Sequence, residues 1–191
     1  MGTGRLEAFS DGVFAIIITI MVLELKVPHD TDLNALRPLI PVFGSYVLSF
    51  VFIGIYWNNH HHMLHAAGKV NGRILWANLH LLFWLSLFPF VTGWMGEHCF
   101  ESLPVALYGT VLLLAGLAYY VLARTLAAHH GKDSKLAQAI GKDTKGIASL
   151  VIYATAVPLA FVNSWIAFTM YVVVALIWFI PDPRIERVFA E

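Results

Sequence analysis

The stretch "RLEAFSDGVFAIIITIMVLEL", residues 5–25, places Arg5, Glu7, Ser10 and Asp11 at the entrance of a run that is largely apolar from Val13 onward. Side chains of these types can do two things in such a place. A carboxylate drawn into a membrane segment is costly, and is kept where ions or protons move or where a polar network needs it. At a membrane rim, the same groups serve as solvated anchors. Asp11 stands in the first turns of this segment, where a helix dipole favours a negative charge, and if buried it needs donors. Asn58, Asn59 and His60 in one stretch, and Trp76, Asn78 and His80 in another, are the donors expected at the same depth. Together with Arg5, Phe9, Ser10 and Asp11 they make a polar clamp at one edge of the molecule. The run "HHHMLH" invites a metal reading, since His61 and His65 are spaced i, i+4 as zinc-binding pairs are. No second pair or cysteine cluster stands beside them, so no metal or other cofactor is expected. His80 on an apolar helix reads as a satisfied core histidine. Trp76, His80 and Trp84 share its face and read as packing.

These groups are positioned by an all-α membrane bundle. Of the 191 residues, 59% are hydrophobic and 13% charged, about half the charged share of an ordinary soluble domain. A formal charge of zero gives no electrostatic case for nucleic acid. The single cysteine, Cys99, excludes an intrachain disulfide. The first segment lacks a small-residue cleavage site and is followed by further spans, so it is not read as a cleavable signal. At roughly 20 apolar residues per crossing, six spans are predicted within a single domain covering 1–191, at about 8–26, 39–58, 74–95, 103–123, 146–163 and 164–181. The last two share one long apolar run, divided at Asn163-Ser164, with Pro158 expected to kink the fifth. Lys and Arg set the orientation. Arg5, Lys69, Arg73, Arg124, Lys132, Lys135, Lys142, Lys145, Arg184 and Arg187 fall on one side, and Lys26 and Arg37 on the other. Both termini are therefore expected in the cytoplasm of a multi-pass cell-membrane protein. The 124–145 loop should cap that side. Gly44, Gly54, Gly109 and Gly116 are candidates for close helix approach.

At about 100° per residue, the first helix has two faces. Gly12, Thr19, Ile20 and Leu23 all fall within about 60° of Ile16 in helical phase. Ser10 and Asp11 lie at least about 120° from it and point elsewhere. One face carries large apolar side chains and a hydroxyl, and the other carries polar groups.

Arg5, three residues, then Phe9-Ser10-Asp11 at the head of a first span resembles the signature of the transmembrane-protein-175 family of potassium channels, in its short prokaryotic form. "YWNNHHHMLH" and "LWANLHLLFWLSLFPF" are similar to that family's second and third helices. Spans 4–6 match in number and hydropathy only. The resemblance implies a passive, potassium-preferring cation channel, a homotetramer in the lipid bilayer whose first helices line a central pore. The TVGYG filter of other potassium channels is missing from the family and from this sequence. The resemblance implies instead a constriction of large aliphatic side chains at Ile16, a hydroxyl at Thr19, and a pore face continued by Ile20 and Leu23. It also links the motif aspartate to proton movement. The alternative class is a six-helix transporter or a histidine-dependent membrane enzyme. A transporter would show paired halves or broken helices, and no internal repeat is evident. An enzyme would need spaced acid–base groups facing a cavity.

Overall fold

Residues 2–131 and 143–179 are described by a computed structural model, and the elements follow the apolar runs closely. Helix α1 spans Gly4–Leu23. A 3-10 turn at Leu33–Leu39, capped by the Asp32 carboxylate on Ala35 N–H, leads into α2, Ile40–Ala67. Then come α3 (Gly72–Ser86), α4 (Phe88–Glu97), α5 (Ser102–His130), α6 (Thr144–Leu159) and α7 (Ser164–Phe179). The predicted third span is α3 and α4 in tandem. Pro89 has no N–H to donate, so the helical ladder breaks at Leu87 and restarts beyond it. Among the described residues, four stretches are long and apolar enough to cross a membrane: Gly4–Leu23, Leu33–Ala67, Gly72–Glu97 and Ser102–His130. The shorter apolar helices α6 and α7 complete the six. Pro158 stands one residue before the end of α6 and closes that helix rather than kinking it. Asn163 then accepts Trp165 N–H at 2.9 Å and starts α7. The lysines of the predicted capping loop at 132, 135 and 142, the C-terminal arginines at 184 and 187, and the end of the sixth predicted span lie outside the described residues.

Helix α5 is the axis of the packing. Tyr108, Leu112, Ala115, Ala118 and Leu122 along it are fully buried. Its main neighbours are α3, α4, α6 and α7, and α2 touches it as well. Helix α1 stands at the margin, against α2, α3 and α4. Apolar burial alone gives little reason for helices to associate in lipid, so close approach and hydrogen bonds decide. Both occur between α2 and α4. Ser49 Oγ shares hydrogen bonds with Thr92 Oγ1 at 2.7 Å and Tyr108 OH at 3.0 Å, and Ser45 Oγ donates to the Thr92 carbonyl at 3.1 Å. A Cβ at Gly96 would stand 2.6 Å from Val42 Cα. At Gly109 it would run into the ring of Tyr171, whose hydroxyl donates to the Val105 carbonyl at 3.2 Å. Gly109 and, through Leu150, Gly116 are thus close-approach sites, whereas Gly54 has nothing within 4 Å and Gly44 only ordinary contact with Phe100, so the expectation fails there. Gly96→Ala should force α2 and α4 apart at a cost of about 1–3 kcal/mol. In detergent this reads as a lower unfolding midpoint, about 2–4 °C per kcal/mol. An unchanged midpoint would mean that this contact is not tight.

Between α4 and α5 the chain turns through two residues of left-handed backbone, Cys99 (φ 49°) and Phe100 (φ 62°). Phe100 is held there by the rings of Phe168 and Trp165 in α7, with centroids at 4.6 and 5.1 Å.

Candidate functional site

The two faces of α1 are sharply different. Leu6, Ser10, Phe14, Ile17 and Met21 are buried against the bundle. On the opposite side Ile16 is 57% exposed, Ile20 41% and Leu23 79%, with Thr19 exposed between them. The stripe predicted from helical phase is therefore left unpacked within one chain, and it extends further than predicted. Gly12, expected in the stripe, is exposed as well, Arg5 and Phe9 continue it beyond that toward the N-terminal end, and Val22 widens it at the other. The Thr19 hydroxyl donates to the Ile16 carbonyl at 2.9 Å. Its proton is thus used within the helix, while the oxygen's lone pairs remain on the exposed side.

On the buried side the polar clamp is smaller than predicted and differently wired. Asn78 of α3 is its centre. Its amide donates to Ser10 Oγ at 3.0 Å, and Ser10 in turn donates to the Leu6 carbonyl at 2.8 Å. The Asn78 carbonyl oxygen accepts from His60 Nε2 at 2.6 Å. An amide oxygen only accepts, so His60 carries its proton on Nε2. All three side chains are fully buried, and together they tie α1, α2 and α3 at one depth.

Asp11 is not among them. Its Oδ1 accepts from the indole N–H of Trp57 at 3.0 Å, in an exposed setting. Nor does it enjoy the helix N-terminus. The helix begins at Gly4, so Asp11 lies two turns in, and Glu7 is the acidic residue of the first turn. Glu7 pairs with His61 Nδ1 at 2.9 Å, and the His61 ring stacks between Trp57 and His65 at 6.0 and 6.1 Å.

Several expected clamp members stand elsewhere. Phe9 and Arg5 lie on the exposed stripe, because both fall within about 20° of Ile16 in helical phase. Asn58 is exposed and turned away from Asp11, one residue out of phase with Trp57. Trp76 and His80 line the outer face of α3, where His80 Nε2 accepts from Trp84 Nε1 at 3.0 Å. Trp57 and Glu7–His61 are the members that sequence reasoning missed. The signal available was the i, i+4 spacing of Trp57 and His61, which puts a donor-only indole beside the imidazole. At the far end of the bundle, Lys26 and Glu97 pair at 2.5 Å and fasten α1 to α4. The Glu97 carboxylate raises the pKa of Lys26, and both groups are exposed, where such pairs contribute little to stability.

A buried amide–imidazole–hydroxyl clamp on one side of the first helix, and a largely apolar stripe left unpacked within one chain on the other, sit in a polytopic α-helical membrane protein. The chain belongs to the TMEM175 family. The family model described as endosomal/lysosomal potassium channel TMEM175 matches residues 5–89, which is α1 through the start of α4. A curated potassium channel of Chryseobacterium sp. (strain P1-3) is 51% identical over 191 residues, covering all of both chains. The crystal structure of a lysosomal potassium-selective channel TMEM175 homolog from Chamaesiphon minutus superposes with a TM-score of 0.79 at 30% identity, over 92% of this chain and 95% of that one. A chicken protein named as an endosomal/lysosomal proton channel is 41% identical over 69 residues, which is 30% of this chain and 14% of its own.

Proposed function

We propose that this protein is a passive potassium channel of the cell membrane, with the permeation path formed where the α1 stripes of four copies meet. The exposed Ile16–Thr19–Ile20–Leu23 face carries this reading. One helix face cannot enclose an axis, so a path along this stripe needs several copies of the chain, and Thr19 is the hydroxyl it would present to an ion. Its relatives named as potassium channels support the ion. The likeness extends over full-length relatives rather than a shared fragment.

The mechanism follows from the side chains. Ile16 has no oxygen with which to replace a hydration shell, so a ring of four isoleucines admits an ion only when it is wet and wide enough. Thr19 lies about one turn away and offers oxygen ligands to a partly hydrated ion. Potassium gives up water more readily than sodium, which sets the direction of selectivity. The transporter or enzyme alternative would need acid–base groups facing a cavity. Here His60, Asn78 and Ser10 are buried and bonded to one another, and Glu7 and His61 are paired.

Planar-bilayer recording under bi-ionic potassium and sodium conditions tests the function. We expect current without a coupled gradient and a reversal potential displaced toward potassium. A strictly monomeric protein that still conducts would refute the shared pore. For orientation, the asymmetry of Lys and Arg supports an N-terminus in the cytoplasm. A fluorescent protein fused ahead of Gly2, of a kind that stays dark when exported, should fluoresce in cells. A dark, stable fusion would reverse the topology.

A further inference from the structure

We infer that the groove between α3 and α5, at the same end of the bundle as the N-terminus, binds the phosphate headgroup of an anionic phospholipid. The groove is open, encloses about 710 Å³, and is lined by Arg73 and Trp76 of α3 and by Arg124, Thr125 and His129 of α5. Among the described residues no carboxylate lines it. Two guanidinium groups on facing helices, with no acid among those lining residues to neutralise them, form the arrangement that captures phosphate through paired N–H donors. Basic pockets between helices at a membrane edge are recognised sites for acidic headgroups.

The groove is also furnished. Asn71 and His129 bridge its mouth through a hydrogen bond of 3.1 Å between Nδ2 and Nδ1. The Arg124 guanidinium is steadied over the Tyr120 ring, 5.1 Å from its centroid. His80 Nε2 is occupied as an acceptor, so its Nδ1 is left to donate.

What lies below the charges favours a lipid over a free anion. Trp76 is 75% exposed beside the arginines, where an indole suits the boundary between headgroup and chain. Deeper along the same two helices, Leu79 and Phe83 of α3 and Leu117 and Val121 of α5 are exposed. Val121 also lines the groove itself, so apolar surface begins at the cationic mouth. A headgroup at Arg73 and Arg124 would lay its acyl chain against that apolar surface.

Native mass spectrometry of the detergent-solubilised protein tests this without reference to conduction or topology. The probes are phosphatidylglycerol and phosphatidylcholine with identical acyl chains, with and without excess inorganic phosphate. We expect phosphatidylglycerol to be retained in preference. Arg73→Gln and Arg124→Gln should each cut retention by about five-fold, and Lys69→Gln, at the same end but outside the groove, should leave it nearly unchanged. Equal retention of the two lipids by the unsubstituted protein would overturn the site. So would a loss with Lys69→Gln as large as with the arginines, which would indicate diffuse charge. Displacement by inorganic phosphate with no acyl-chain dependence would place a free anion there and refute the lipid. Because the unsubstituted protein alone yields the lipid comparison, a variant that fails to fold leaves the test decisive.

Discussion

Bilayers containing Ile16→Asn carry more current than wild type at equal voltage, and they separate potassium from sodium less well. This is the largest functional effect we expect. The Ile16 side chain is 57% exposed on a helix whose other face is packed. In the four-fold assembly proposed above it would meet its own copies and create an apolar ring. Such a ring resists wetting, and each ion that crosses loses hydration with no ligand in return. An amide at that position holds water and supplies oxygen. A barrier lowered by about 1.4 kcal/mol raises the rate about ten-fold, and an increase of roughly two- to ten-fold in single-channel conductance is the expected range. Discrimination falls because a wet ring no longer asks either ion to shed water. The companion change, Thr19→Val, removes the hydroxyl oxygen while keeping the shape. It should lower conductance or potassium preference with the oligomer intact. If Ile16→Asn leaves both current and reversal potential as they were, Ile16 is not at the narrow point.

The second large effect falls on the buried side of the same helix. Asn78→Leu removes the acceptor for His60 Nε2 and the donor to Ser10 at once. Each buried group left unpaired costs about 1–3 kcal/mol, and Ser10 keeps its bond to the Leu6 carbonyl. His60 thus bears most of the penalty, and we expect a total of about 2–4 kcal/mol. In detergent this should appear as a much lower unfolding midpoint and loss of the assembled form. Asp11→Asn should be mild by comparison, because an amide oxygen still accepts from the exposed Trp57. Equal destabilisation by the two variants would mean that the clamp is centred on Asp11 after all.

The contrast between these residues shows what is visible in advance. The exposed stripe is legible because helical phase is a local property: Ile16, Thr19, Ile20 and Leu23 share a face whatever surrounds them. The same wheel puts Arg5 and Phe9 on that stripe. Sequence reasoning groups them with the clamp because they belong to one motif, and a motif is contiguous in sequence without being contiguous on a helix surface. Ser10 and Asn78 stand out in the chain, since a polar residue amid apolar ones at matching depth has few other uses. Their pairing is not legible, because it depends on how α1, α2 and α3 are rotated against one another. Trp57 and Asn58 differ by one residue and so by about 100° on α2, and only the packed structure says which of them faces Asp11. The break between α3 and α4 is visible at Pro89, yet an unbroken apolar run conceals how completely the helix restarts.

The left-handed corner at Cys99 has a practical chemical consequence. Cys99 is the chain's only thiol and it is exposed. It stands with Glu97 and Lys26 at the end of the bundle away from Lys69 and Arg73. The protein thus carries its own reporter, and in the orientation proposed here the unaltered chain should react with a membrane-impermeant maleimide added outside intact cells. Any cysteine introduced elsewhere must be read against that background, and removing it calls for care. At φ 49° an alanine or serine is strained, whereas glycine or asparagine adopts the conformation readily. Cys99→Asn is therefore the replacement that silences the native thiol and keeps Phe100 seated against Trp165 and Phe168.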